Sequence, residues 1–499
     1  MLSVLSCLCV LYAVWTWYLR NSSSPDRPPY LRGIFPVIGN SLLLLEGRNA
    51  LFRHVINISR DCIKKGGVIC GALGFHRYYI ITNPQDALTA ANSCLQKHFG
   101  YKWGKRWLGN SLIMSTGEIW KNQRRMIAPA FSLPILHGYL GVFNTKAREL
   151  VEIVSTQTEP TFNILPYIKD VIFKILSKTV FGVDELDDKN FIKQYMNATD
   201  TILKNFVDRF NNPLLYSDFM YQLLGYKKIE DEIIRISSNM SDTIINAKRA
   251  ALKASKSTIY SMNSKGAKYK SLLELLLELS EKNMLTNKEI KDEVNTFIVA
   301  GYDTCSIVLT YTLMCLGTYP EVQERVHEEI QTVFGDTDRD VEKEDLSHLL
   351  YTEAVIKETL RLYPPGPFLL RYCDKVVQLK NYKMPADTQL ILNMYGMNRD
   401  PVWGPDAEHF RPDRWLDLKL EQSNAFGSFS IGKRICPGQH FALISLKTMI
   451  AHVIRHYRIR ANIHKLKFRV DVLAVPISDC KVVLERRNNS LSKHHRNDL

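Results

Sequence analysis

Most of the chain repeats its apolar positions at helical spacing between turn signals, and only a few short stretches alternate as strands do. Val68 to Leu73 and Tyr78 to Thr82 read as two strands around Gly74, and segments near Val376 and from Gln389 to Met394 add a few more. Three helices can be placed. The first is opened by Ser115, Thr116, Gly117 and Glu118, a capping-box pattern, and sets Trp120 and Arg124 four residues apart on one face. The second is opened by another such box, Thr286 to Glu289, and carries Ile290, Val294, Phe297, Ile298, Val308 and Leu309 before Gly317 and Pro320 stop it. About thirty residues at 1.5 Å each make this helix roughly 45 Å long, enough to cross a whole domain. The third lies near Leu349 to Leu362 and ends before Pro364 and Pro365. The fold class is therefore mainly α with a small β part.

Residues Met1 to Leu19 carry no charge and include Leu2, Val4, Leu5, Leu8, Trp15 and Trp17. About twenty apolar residues suffice to span a bilayer. Arg20, Arg27 and Arg32 follow this run and no basic residue precedes it, which favours a retained anchor with a cytosolic body over a cleaved signal peptide. Pro25, Pro28, Pro29 and Pro36 then read as a stiff connector over residues 20–39. No repeat, acidic tail or long Gly/Ser linker divides the 499 residues, although length alone would suggest three domains. The ten cysteines include no CxxC pair, which argues against a zinc or disulfide framework. A net charge of +14 admits anionic membrane, acidic protein and nucleic acid partners, nucleic acid being the least favoured. The lysines between Lys253 and Lys270 alternate with Ser and Gly and read as a solvated loop.

Candidate chemistry concentrates in three places. Cys436 follows Phe429, Gly432 and Arg434 and precedes Pro437 and Gly438, just ahead of the helical stretch Phe441 to Ile454. Pro437 suits the first helical position, which would put Cys436 at a helix N-terminus, where unpaired N–H groups stabilise a thiolate able to bind metal. The two glycines leave room for a flat ligand, Phe429 could shield the sulfur, and Arg434 could meet an acidic group. A lone cysteine is otherwise most often an inert buried one. In the long helix, Gly301, Asp303 and Thr304 put a glycine, an acid and an alcohol within an apolar element; a packing glycine beside a solvated pair is the plain alternative. Glu358 and Arg361 share a helix face, as a surface ion pair also would.

The segment from Phe429 to Gly438 matches FxxGxRxCxG without a gap, and in this it resembles the haem-binding signature of the cytochrome P-450 family. The resemblance implies that family's fold, with a single haem-binding catalytic domain over 40–499 behind a transmembrane signal anchor over 1–19. It implies haem b (iron protoporphyrin IX) with Cys436 as the axial ligand, and Phe429 and Gly438 beside it. Ala300 to Thr304 resembles the family's AGx(D/E)T motif, giving Thr304 and Asp303 roles in oxygen activation and proton delivery; Cys305 stands where a second threonine is common. Lys357 to Arg361 resembles ExxR, and Phe410 to Trp415 resembles PERF with Asp413 in place of Glu, which together imply a buried triad of Glu358, Arg361 and Arg414. Trp120, Arg124, Arg371 and Arg434 become candidates for the haem propionates. Lys121, Arg125, Lys433 and Lys447 become candidates for a basic proximal surface facing an electron donor.

The implied function is a monooxygenase that inserts one oxygen atom from dioxygen into an apolar small molecule. Electrons would come from NADPH through NADPH-cytochrome P-450 reductase, with cytochrome b5 as a second donor, at the endoplasmic reticulum membrane; the chain itself has no flavin or nicotinamide fingerprint. By family position the pocket is expected along Tyr101 to Ile113, Phe297 to Thr304, Gly366 to Leu370 and Val472 to Ile477. Fatty acids, steroids and xenobiotics all suit it. The stretch Trp107 to Ser132 resembles the fatty-acid ω-hydroxylase branch, whereas Ala300, Gly301 and Tyr302 are similar to the xenobiotic branch. An oxygen-independent isomerase or dehydratase, or a non-catalytic haem-binding protein, would share the fold.

Overall fold

The computed structural model describes residues 27–487 apart from 36–37, 75, 185–187 and 260–269, together with Ser6, Val10, Tyr12 and Val14; of 255–259 it describes the backbone. Apart from those four residues the expected anchor, and with it Pro25, Pro36 and the lysines at 265 and 268, lies outside the described residues.

The elements that position the site are, in chain order, strands β1 (Val68–Leu73), β2 (His76–Ile81) and β3 (Gln96–Lys97), then helices α1 (Tyr101–Leu108), α2 (Gly117–Ile127), α3 (Leu140–Ser155), α4 (Leu165–Leu176), α5 (Lys189–Asn211), α6 (Tyr226–Ile259), α7 (Asn287–Thr318) and α8 (Leu350–Leu362). There follow β4 (Leu369–Cys373), β5 (Thr388–Leu392), α9 (Gln439–His456), β6 (Phe468–Asp471) and β7 (Leu473–Pro476). α6 continues to Ile259, so Lys253 belongs to a helix and not to the solvated loop the sequence suggested.

α7 is the axis of the molecule. Its capping box is formed: Glu289 N–H donates to Thr286 Oγ1 at 3.2 Å and Thr286 N–H donates to Glu289 Oε2 at 2.8 Å. Most of its residues are buried, and it packs against α1, α4, α8 and α9. Among the described residues it is the one helix long and apolar enough to cross a membrane, but 83% of its apolar window is buried inside the protein, which makes it a core helix.

One mixed sheet flanks this helical body in the order β1-β2-β5-β4-β3. β2 and β5 are parallel and the other neighbours antiparallel. The register of the last pair sets Lys97 opposite Arg371. β6 and β7 form a separate hairpin through Val472, a β-branched residue at φ +69°, a strained backbone region that such residues rarely occupy.

Candidate active site

A cavity of about 580 Å³ lies among α1, α5, α7, the loop before α9 and the β6–β7 hairpin. Cys436 borders it, yet not from the first turn of a helix. α9 starts at Gln439 with Gly438 as its N-cap, so Pro437 lies outside it, contrary to the expectation from sequence. Cys436 N–H instead donates to the Phe429 carbonyl at 2.9 Å, closing a loop that a local reading of Pro437 cannot reveal. Burial pushes the Cys436 thiol up, while the Gly438 N–H and the Arg124 charge pull the other way. Gly432 sits at φ +69°, and a Cβ there would lie 2.7 Å from Asn92 Oδ1, so the loop requires glycine at this position.

Four cations reach the same cavity. Arg434 donates to the Ser115 carbonyl at 2.7 Å, and its guanidinium stacks over Trp120 at 4.4 Å. Its Nε is buried without a partner. Burial and the neighbouring Arg371 bring the Arg434 pKa down to about 9. Arg371, on β4, donates to the Leu370 carbonyl at 3.0 Å. Arg124 on α2 is held below the usual arginine range by burial. Lys97, which sequence reasoning missed, is held well below its usual range by burial and then by Arg371 and Arg434. No Asp or Glu is found among the described residues of the cavity wall. Clustered cations without a counter-charge, beside a sulfur and an apolar wall, fit a flat ligand carrying two carboxylates. Haem has that chemistry.

The distal wall is α7. Thr304 borders the cavity and donates to the Ala300 carbonyl at 2.6 Å. Asp303 does not join it there. Its side chain is buried on the α4 side, 3.2 Å from Lys169 Nζ, and one of its oxygens has no partner. Burial lifts its pKa to about 6 against the opposing pull of Lys169. A Cβ on Gly301 would lie 2.9 Å from Leu176 of α4, so this glycine serves close helix packing as well as bordering the cavity.

Glu358 and Arg361 are fully buried, paired through two contacts of 2.8 Å, and Arg414 closes on the same carboxylate at 2.9 Å. Asp413 stands outside this cluster, paired with Arg325. The expected basic surface is incomplete: Lys447 is buried and committed to Glu353 at 2.8 Å and to the Leu346 carbonyl at 2.5 Å. Lys121 is exposed and paired with Glu118 at 2.5 Å. That ion pair and a 2.5 Å bond from Ser115 Oγ to Gln123 also explain why the capping box expected ahead of α2 does not form.

All four expected stretches of lining are represented in the cavity wall. What was missed is one face of α5, Leu203, Phe206, Val207 and Phe210, whose i, i+3, i+4, i+7 spacing was available as a signal. Lys97 gave none, because a two-residue strand is too short to show a pattern.

A sulfur-bearing loop under a long central helix, with a buried acid–arginine cluster behind it, defines a class. The chain belongs to the cytochrome P450 family, whose model matches residues 28–475. It is a haem-thiolate monooxygenase, an oxidoreductase. Among its relatives, cytochrome P450 4c21 of Blattella germanica is 30% identical over 492 residues, 96% of this chain and 98% of that protein. Cytochrome P450 4V2 of Homo sapiens is 28% identical over 94% of this chain and 92% of its own length. Cytochrome P450 4c3 of Drosophila melanogaster is 29% identical over 89% and 85%.

Proposed function

We propose that Cys436 is the axial thiolate of haem b and that Arg124, Arg371, Arg434 and Lys97 receive the propionates, with Trp120 holding Arg434 in place by stacking. The observation that carries this reading is one cavity that brings a cysteine sulfur and four cations together with no carboxylate on its described wall. Phe429 borders the same cavity as the sulfur, and Gly438 directs its N–H at the sulfur. Bound haem supplies the oxygen chemistry and the protein supplies ligand, proton path and pocket. Within the protein part, Thr304 Oγ1 is the hydroxyl positioned over the cavity, and buried Asp303 with the half-buried Lys169 is a charge pair able to hold and pass a proton behind it. Glu358, Arg361 and Arg414 lock the core on the sulfur side.

The substrate is an apolar small molecule, in keeping with a wall built largely of aromatic and aliphatic side chains. Electrons come from NADPH through a separate reductase, with cytochrome b5 as a second donor; Arg125 and Lys433 remain as cations for that encounter. Residues 1–19 anchor the chain in the endoplasmic reticulum membrane, 20–39 connect, and 40–499 form one catalytic domain in the cytosol. The uncharged run ahead of Arg20 supports the anchor.

Thr304→Val tests the mechanism apart from the fold. With reductase, NADPH and a substrate found by a haem spin-state screen, the variant is expected to keep its haem while product per NADPH falls and hydrogen peroxide per NADPH rises. Equal coupling in variant and wild type would remove Thr304 from the mechanism.

A further inference from the structure

Three charged side chains meet at one end of the cavity. Arg48, on the short helical turn Arg48–Ala50, reaches Asp208 of α5 with Nη1 at 3.6 Å and Asp471 at the end of β6 with Nε at 3.7 Å. All three adjoin residues of the cavity wall in sequence: Leu51 follows the Arg48 turn, Val207 and Phe210 lie either side of Asp208, and Val470 and Val472 flank Asp471. Arg48 and Asp208 are also partly exposed, which marks a place where the cavity wall meets the surface. Arg48 thus ties α5 to the β6–β7 hairpin there. Among the described residues no hydrogen bond joins these two elements directly.

The tie is loose. Neither Arg48 nitrogen comes within hydrogen-bond distance of its acid, and neither has a hydrogen-bond partner elsewhere among the described residues. An ion pair held at contact without hydrogen bonds is weak and separable. Its release does not strand Asp471, whose Oδ2 accepts from Arg469 Nε at 2.7 Å. The hairpin itself is anchored on its other side: Ala474 N–H donates to the Pro365 carbonyl at 2.7 Å, and the Tyr311 hydroxyl donates to the Ala474 carbonyl at 3.0 Å. The seam able to open is therefore the one that Arg48 spans. Val472, at the tip beside it, is held at φ +69°, a strained conformation that persists only where its surroundings impose it.

We propose that Arg48, Asp208 and Asp471 form a latch on substrate passage. With both pairs made, α5 lies against the hairpin and this end of the cavity is closed to bulky molecules; with them broken, the seam parts. Arg48 is not among the residues of the cavity wall, so the latch sets the rates of entry and exit and leaves the contacts of the bound molecule alone. This inference rests on the proposed function for the cavity being the haem and substrate site.

The test uses the full-length holoprotein, wild type, Arg48→Met, Asp208→Asn and the double variant, with imidazole and clotrimazole, a small and a bulky azole whose arrival at the iron shifts the Soret band. In stopped flow, Arg48→Met should speed both binding and release of clotrimazole about fivefold, the worth of one partly buried ion pair, with Kd within about twofold of wild type. Imidazole rates should stay within about twofold. Asp208→Asn should act in the same way, and the double variant should add nothing further, since either change frees α5 from the hairpin. Amide hydrogen exchange, which needs no haem signal, should quicken over residues 205–211 and 470–474 in both single variants and not in α9. Unchanged clotrimazole rates, equal acceleration of imidazole, a Kd shift carried by one rate alone, additive effects in the double variant, or unchanged exchange at the seam would each overturn the proposal. Should Arg48→Met fail to fold, Asp208→Asn, which removes the more exposed partner, decides by the same readings. A wild type showing no Soret shift with either azole would defeat the haem reading instead, and hydrogen exchange would still decide the latch.

Discussion

Glu358 shows how much one side chain can organise. Its two oxygens accept from Arg361 Nε and Nη2, Arg414 Nε, Trp415 Nε1 and the Arg411 N–H, all at 2.8–2.9 Å. Burial alone would raise its pKa, but Arg361 and Arg414 hold it below the usual carboxylate range. Removing the carboxylate strands two buried guanidinium groups, which costs about 3–5 kcal/mol, against about 0–1 kcal/mol for a surface pair. Glu358→Ala is therefore expected to give little stable holoprotein, and a denaturation midpoint close to that of wild type would contradict the buried-lock account. The i, i+3 spacing made Glu358 and Arg361 readable from sequence. Trp415 and the Arg411 N–H were not, because they arrive from more than fifty positions away.

At the level of elements, boundaries were legible where apolar period agreed with cap chemistry, as in α7, or with a proline stop, as in α8, and illegible where a side chain was spent elsewhere. Ser115 is the case in point: its hydroxyl serves Gln123 and not the end of α2. The start of α9 was misplaced because a backbone bond from Cys436 to Phe429 sets it. α7 also carries a pH-sensitive tie to the segment after α1. Glu293 accepts from the Leu112 N–H at 2.9 Å, its second oxygen has no partner, and burial raises its pKa from 4.5 to about 8. The folded protein binds this proton more tightly than the unfolded chain does. Its contribution is full below about pH 4.5 and is lost as pH rises through about 8. Thermal midpoints of wild type are expected to decline across that window, and Glu293→Gln should flatten the decline. An unchanged pH slope in the variant would show that Glu293 is not the group responsible.

For the molecule as a whole, residues 97, 124, 371, 434 and 436 reach one cavity from positions spread over most of the chain. Composition could not show this. The net charge of +14 says nothing of where cations gather, and Lys447, assigned to the surface from sequence, turned out to be buried against Glu353. The sulfur loop was legible because its glycines, arginine and cysteine are adjacent in sequence; Lys97, Lys169 and the α5 wall are brought to the site by tertiary packing alone. Everything proposed for the site depends on Cys436 ligating iron as a thiolate. The most direct measurement is the ferrous CO difference spectrum of wild type and Cys436→His. A strongly red-shifted Soret band in wild type that is lost in the variant is the expected result, since a neutral imidazole cannot donate the same electron density. A red-shifted band that survives in Cys436→His, or one absent from wild type, would contradict the account.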